Sequence, residues 1–284
     1  MNLPTHRPRA LADLSPSRLR RVIGVMTDID DTLTQNGQLD PAARAAMQAL
    51  MDVGVPLIAI TGRPMGWSRD FMQQGVAEWP VNTIVAENGA VALLREIDGA
   101  AAGKANAPVV VEFAQDDITR QANAVRLHAT LARIEREVPD AQRARDSAGR
   151  VTDIAIDHSE FCHLPAAAIA QVVALMKEEG MTATVSSIHI NGWFGAHDKL
   201  SGARWMVQRL FGRELNNEMT RWVYVGDSSN DQTMFGAFAL SVGVANVMDF
   251  APQLHTWPAF ITQGERGAGF AEVVTALLGA RRPR

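Results

Sequence analysis

Apolar and polar positions along the chain follow two different periods. Short apolar runs near 22–27, 56–60, 82–86, 222–226 and 239–244 each stop abruptly at polar residues. Between them, stretches near 41–53, 65–74, 200–211, 230–237 and 270–279 carry apolar positions three and four apart. The first pattern predicts strands buried on both faces, and the second predicts amphipathic helices. Strands that alternate with helices in this way belong to a parallel sheet covered by helices on both sides, so the fold class is α/β with a Rossmann-like parallel-sheet core.

The middle of the chain breaks that rhythm. Gly99 to Pro108 is rich in Ala, Gly and Asn and reads as a hairpin tip; 117–138 has helical periodicity, 151–156 alternates as a strand, 165–179 reads as a helix and 181–190 as one or two strands. Strands and helices in this mixture predict an inserted α+β cap domain over 89–193, set into a core made of 21–88 and 194–284. Residues 1–20, rich in Arg and Pro and without a long apolar run, read as a flexible tail.

The predicted strand ends carry the chemistry. Val22-Ile23-Gly24-Val25-Met26 runs into Asp28-Ile29-Asp30-Asp31-Thr32-Leu33. In an open parallel sheet ligands bind beyond the carboxyl ends of the strands, so these carboxylates stand where chemistry is expected. Three acids in four residues repel one another, and a hard divalent cation is one way to compensate them. A solvated Asp-rich turn is the competing reading of this motif alone. Other strand ends add to it. Leu57-Ile58-Ala59-Ile60 ends on Thr61-Gly62-Arg63, whose threonine offers a hydroxyl and a backbone N–H. Trp222-Val223-Tyr224-Val225 ends on Gly226-Asp227-Ser228-Ser229-Asn230-Asp231, two acids four apart among oxygen-bearing neighbours, a donor set suited to Mg²⁺. Lys199 stands out by scarcity, because only positions 104, 177 and 199 are lysine among 27 basic residues. A compact ammonium suits a phosphoryl group or a carboxylate neighbour.

In this order the four segments resemble the haloacid dehalogenase superfamily of phosphohydrolases, the resemblance covering about 21–88 and 194 to the C-terminus. Glu87-Asn88-Gly89-Ala90, the Gly-Asp-Ser-x-Asn-Asp form of the last motif, and Gly267-Ala268-Gly269-Phe270 resemble the large-cap branch with its sugar-phosphate phosphatases. The resemblance implies Asp28 as nucleophile and Asp30 as general acid and base, with Thr61 and Lys199 on the phosphoryl oxygens. It further implies Mg²⁺ on Asp28, Asp30 (through its backbone carbonyl), Asp227 and Asp231. Arg63, Asn88, His189 and Asn230 are candidate substrate contacts. Asn191 and Trp193, where the cap returns to the core, are weaker ones, each with a plain reading as loop or core.

Composition narrows the partners. Net charge is −4 with signs mixed along the chain, which leaves no electrostatic footprint for nucleic acid. No apolar run approaches the roughly 20 residues that span a bilayer. The single cysteine, Cys162, has no motif around it and reads as a small hydrophobe, and the 7 histidines show no metal-ligand spacing. The expectation is a cytoplasmic, Mg²⁺-dependent phosphatase acting on a small phosphorylated metabolite, a sugar phosphate in the first instance. A phosphosugar mutase and a non-catalytic phosphate-binding module are the alternatives; oligomeric state is open.

Overall fold

The computed structural model describes residues 8–95 and 104–281. Its strands are β1 (Arg9–Ala10), β2 (Gly24–Thr27), β3 (Thr34–Gln35), β4 (Gln38–Leu39), β5 (Leu57–Ile60), β6 (Thr83–Ala86), β7 (Val91–Arg95), β8 (Val109–Phe113), β9 (Gln142–Arg143), β10 (Asp153–Asp157), β11 (Thr182–Val185), β12 (His189–Trp193), β13 (Trp222–Gly226), β14 (Leu240–Gly243) and β15 (Phe260–Ile261). The helices are α1 (Pro16–Leu19), α2 (Pro41–Asp52), α3 (Met65–Gln73), α4 (Asp117–Glu137), α5 (Ala166–Glu178), α6 (Lys199–Phe211), α7 (Gln232–Ala237) and α8 (Arg266–Arg281).

The core sheet runs β1-β15-β14-β13-β2-β5-β6-β7-β8, parallel from β1 to β6 and antiparallel across β7 and β8. Successive residues of its central strands face opposite layers. Val25, Ala59, Val223 and Val225 pack with Met47 and Leu50 of α2 and Phe270, Val273 and Leu277 of α8. Their neighbours Met26, Ile58, Ile60, Trp222 and Tyr224 pack with Met206 and Val207 of α6 and Phe235 of α7. Gly24 is required by this second layer, since a Cβ there would stand 2.2 Å from the Trp222 ring.

The insert is a separate antiparallel sheet, β11-β12-β10-β9, covered by α4 and α5. Its apolar centre is Leu127, Leu131 and Ile134 of α4 with Ile154, Ile156, Val172, Met176 and Ile190. The chain is thus an α/β core with an α+β insert.

Two boundaries differ from the sequence reading. The hairpin β7–β8, expected inside the insert, extends the core sheet: Val91, Ala92 and Leu93 are fully buried against β6. A continuous apolar run gives strand without saying which sheet it joins, so the insert begins after Phe113 rather than at Gly89. The expected tail is also ordered where it is described. Arg9 and Ala10 pair with β15, the Arg9 guanidinium lies 4.4 Å from the centre of the Phe260 ring, and Leu11, Leu14 and Leu19 are buried. Three leucines supply the apolar contact that the Arg/Pro-rich composition obscured. Residues 1–7 of that tail, and residues 99–103 of the expected hairpin tip, lie outside the described residues. Among the described residues no helix is long and apolar enough to cross a membrane.

Candidate active site

Four core strands deliver the motif residues to one edge of the sheet: β2 ends before Asp28, β5 before Thr61, β6 before Glu87 and Asn88, and β13 on Gly226, before Asp227. The backbone N–H of Asp28 donates to the Val225 carbonyl at 2.9 Å, which ties the first motif to the last.

The acids of the first motif are separated by three different cations. Asp28 Oδ2 lies 3.0 Å from Lys199 Nζ, Asp30 takes Arg63, and Asp31, at φ 51°, takes Arg266 Nε at 3.0 Å on its Oδ1. The repulsion expected within these four residues is therefore met largely by side chains.

An uncompensated cluster remains across the strands. Asp28, Asp227 and Asp231 are buried, each with a carboxylate oxygen within 4.8 Å of the others, and Lys199 contacts Asp28 and Asp231. Asp231 is saturated: its Oδ2 accepts from the N–H groups of Asp227 (2.9 Å) and Ser228 (3.1 Å), and its Oδ1 accepts from Lys199 Nζ (2.7 Å) and the Tyr224 hydroxyl. Gly226 makes room for this carboxylate, because a Cβ there would lie 2.4 Å from Asp231 Oδ2. Asp227 differs. Its Oδ1 accepts from the Thr32 hydroxyl at 3.1 Å, while its buried Oδ2 has no hydrogen-bond partner.

Burial pushes the Asp28 carboxyl up to about 7, with Lys199 pulling the other way and Asp231 and Asp30 adding to the rise. Burial, followed by Asp231 and Asp28, holds Asp227 well above the usual carboxylate range. For Lys199 burial works against the proton, but Asp231 and Asp28 outweigh it and hold the ammonium more firmly than in free lysine. Three carboxylates around one ammonium, with an orphaned carboxylate oxygen among them, fit a hard divalent cation.

Thr61 sits beside the cluster with its hydroxyl oxygen accepting from Arg63 N–H at 3.0 Å. Its own backbone N–H, expected to be available, is used by the sheet, donating to Val85 O at 2.8 Å. Asn230 accepts from Lys199 Nζ at 3.3 Å and from the Ser228 hydroxyl at 2.9 Å, so it positions the lysine. Asn88, at φ 54°, donates its backbone N–H to Thr61 O at 3.0 Å and leaves its side-chain Nδ2 buried without a partner.

A second charged cluster joins core to insert. Arg63 Nε lies 3.0 Å from both oxygens of Asp30, and Arg63 Nη2 lies 2.8 Å from Asp30 Oδ1. The rest of the guanidinium belongs to the insert: Nη1 donates to Asp146 at 3.2 Å and Nη2 to Glu160 at 2.7 Å. Glu160 Oε2 also meets His189 Nε2 at 2.9 Å. Burial pushes the Glu160 carboxyl up, and the hydrogen bonds from His189 and Arg63 more than reverse this, bringing it down to about 2. Arg150 continues the network to Asp146 (3.2 Å), Asp153 (2.8 Å) and the Gly62 carbonyl (2.9 Å), and Asn191 donates to Asp153 at 3.1 Å. Trp193 is core, its Nε1 donating to His197 O at 2.9 Å.

Sequence reasoning missed Asp146, Arg150, Asp153 and Glu160, and quoted Glu87 only within a motif, without a role. Glu87, fully buried, accepts from the N–H groups of Met65 (2.9 Å), Val151 (3.1 Å) and Thr152 (2.6 Å), and so fastens the insert to the core. A charged residue directly after a buried strand was the available signal for Glu87. The others carry no local pattern.

Residues 25–114 match the model of a family described as haloacid dehalogenase-like hydrolases. No curated protein matches the chain in sequence. Protein 0175 of Thermoplasma acidophilum shares the fold at TM-score 0.64 with 13% identity, over 90% of this chain and 98% of its own. The sucrose-phosphatase of Synechocystis sp. PCC6803, solved with sucrose and phosphate, gives 0.62 at 16% identity, over 91% and 98%. A phosphatase from Bacteroides thetaiotaomicron, of the haloalkanoate (HAD) enzyme superfamily, gives 0.54 at 14%, over 92% and 96%. At such identities the structural likeness is one of fold. The 25–114 match and the shared fold agree with the resemblance drawn from the motifs.

Proposed function

We propose that the protein is a Mg²⁺-dependent phosphatase that hydrolyses a phosphate monoester of a sugar or sugar-like metabolite through an aspartyl phosphate. The observation that carries this reading is the unbalanced cluster: a carboxylate, Asp28, hydrogen-bonded to the Ile29 N–H at 2.8 Å and ion-paired to Lys199, beside a carboxylate oxygen of Asp227 that has no partner.

In the first step an oxygen of Asp28 bonds to phosphorus as the bond to the leaving oxygen breaks, and Asp30 hands that oxygen its proton. In the second step Asp30 takes a proton from water, whose oxygen bonds to phosphorus and frees the Asp28 carboxylate and inorganic phosphate. Lys199 and the Thr61 hydroxyl would hold phosphoryl oxygens on which charge accumulates in each transition state. Asp28, Asp227 and the backbone carbonyl of Asp30 would hold Mg²⁺, with Asp231 behind them orienting Asp227 and Lys199. The ion, when bound, neutralises carboxylate and phosphoryl charge so that an anion can attack an anion.

The test is phosphate release from p-nitrophenyl phosphate and a panel of sugar phosphates, with Mg²⁺ or EDTA, for wild type, Asp28→Asn and Asp30→Asn. Release that needs Mg²⁺ and falls by roughly a thousandfold or more in Asp28→Asn supports the reading. Equal release with EDTA, or an Asp28→Asn protein that turns over normally, sinks it.

A further inference from the structure

The second cluster constrains what the leaving group can be. Within the phosphatase reading, on which this inference rests, the leaving group is attached at the oxygen served by Asp30. It therefore extends toward Arg63 and the insert. The two buried cations of that interface are already committed. Arg63 is shared among Asp30, Asp146 and Glu160, and Arg150 among Asp146, Asp153 and the Gly62 carbonyl. Arg145, next to Asp146 in sequence, is exposed and lies over the Phe161 ring at 3.8 Å. Four carboxylates, Asp30, Asp146, Asp153 and Glu160, thus face two guanidinium groups.

We propose that Glu160 and Asp146 make this face of the insert a charge filter, which accepts a neutral, hydroxyl-bearing leaving group and rejects one that carries a second anionic group. A hydroxyl donates to an ionised carboxylate, which can only accept. A carboxylate or second phosphate on the substrate meets like charge there, and the two guanidinium groups beside it, Arg63 and Arg150, are already paired. It could be accommodated only by breaking an ion pair whose partner side chains are mostly buried, Arg63 at 5% exposure and Glu160 at 17%. Glu160 stays ionised through the neutral range, consistent with its carboxyl lying at about 2.

The experiment compares glucitol 6-phosphate with 6-phosphogluconate, two open-chain six-carbon phosphates that differ only in a terminal CH₂OH or carboxylate. In wild type with Mg²⁺, kcat/KM should favour glucitol 6-phosphate by at least about tenfold, well within what like-charge juxtaposition imposes. Glu160→Gln removes one negative charge and frees part of Arg63, and should shrink that preference; Asp146→Asn does the same from the other side of the guanidinium and serves if the first variant folds poorly. Calorimetric binding of both compounds to the Asp28→Asn protein reads the preference without turnover. Equal use and binding of the two compounds by wild type, or a preference that neither variant changes, overturns the filter. Absence of p-nitrophenyl phosphate turnover in wild type would instead overturn the phosphatase reading, and the binding preference would still decide the filter.

Discussion

Two clusters of buried charge lie beside each other at the carboxyl edge of the sheet, and they are put together in different ways. The first is Asp28, Asp227, Asp231 and Lys199, drawn entirely from core strand ends and the start of α6, with three carboxylates beside one ammonium and an orphaned oxygen on Asp227. The second is Asp30, Arg63, Asp146, Arg150, Asp153, Glu160 and His189, drawn from both modules, with each carboxylate meeting a cationic or neutral donor. Burying a charge costs several kcal/mol unless it is paired and hydrogen-bonded. The second cluster is organised to meet that cost inside the protein, whereas the first is organised to have it met by something that binds. The difference separates the place where a metal and a phosphoryl group are expected from the place where the insert is docked and a leaving group is judged.

The sharpest way to break the comparison is to remove one cation from each cluster. Lys199→Met strands Asp28 and Asp231, and Arg150→Met strands Asp153 and part of Asp146. Each should lower stability by about 3–5 kcal/mol in urea titrations at neutral pH, the usual cost of leaving a buried charge without its partner. The clusters then part company. Measured against wild type at the same Mg²⁺ concentration, the deficit should shrink in Lys199→Met, because the ion answers the same carboxylates, and stay unchanged in Arg150→Met. If Mg²⁺ restores both equally or neither, the distinction between an open and a closed cluster fails.

A smaller effect sharpens the first cluster alone. Mg²⁺ at a hundredfold excess over its dissociation constant adds about 2.7 kcal/mol to a protein that binds it only when folded. Wild type should show this gain and Asp227→Asn should lose most of it. In EDTA the order should reverse, with Asp227→Asn more stable than wild type by about 1–2 kcal/mol, since a buried carboxylate oxygen without a partner is removed. Thermal melts in Mg²⁺ and in EDTA read both. A variant less stable than wild type in EDTA would mean that Asp227 is held by the protein and does not await a cation.

The two clusters were also unequally legible in the sequence. Asp28, Thr61, Asp227 and Asp231 stand directly beyond buried apolar strands, and Lys199 is scarce and follows Asp198, the N-cap of α6, whose carboxylate accepts from Ser201 N–H. The information is local: each motif could be seen by itself, and the resemblance to the superfamily supplied the expectation that they meet. Asp146, Arg150, Asp153 and Glu160 meet Arg63 and Gly62 only because the insert folds back on the core, and no spacing announces a contact between residues 83 and 97 positions apart. Arg63 shows the limit well. Its place after Thr61-Gly62 marked it as a possible anion contact, yet three carboxylates take its N–H groups. The core edges were misread for a related reason. β7 and β8 join the core, and β1 completes it, through pairings that apolarity does not encode.

The smallest effect expected belongs to the second cluster and is read by pH. The Glu160 carboxyl lies at about 2 in the folded protein against an ordinary 4.5, because the hydrogen bonds from His189 and Arg63 prevail over burial. A carboxyl lowered on folding adds stability that is complete above its unfolded value and disappears as pH falls toward the folded one. Glu160 should thus contribute fully above pH 4.5 and lose its contribution between 4.5 and about 2. Partial exposure screens the pairing, so the contribution is on the order of 1 kcal/mol rather than the full value of the shift. Glu160→Gln should flatten the acid limb of the stability curve by that amount, measured against wild type in EDTA so that metal release does not enter. A wild-type curve that the variant reproduces down to pH 2 would mean that the contact with Arg63 adds nothing to folding. In that case Arg63 would be held by Asp30 and Asp146, and the insert would be fastened by Glu87 and its bonds to Val151 and Thr152.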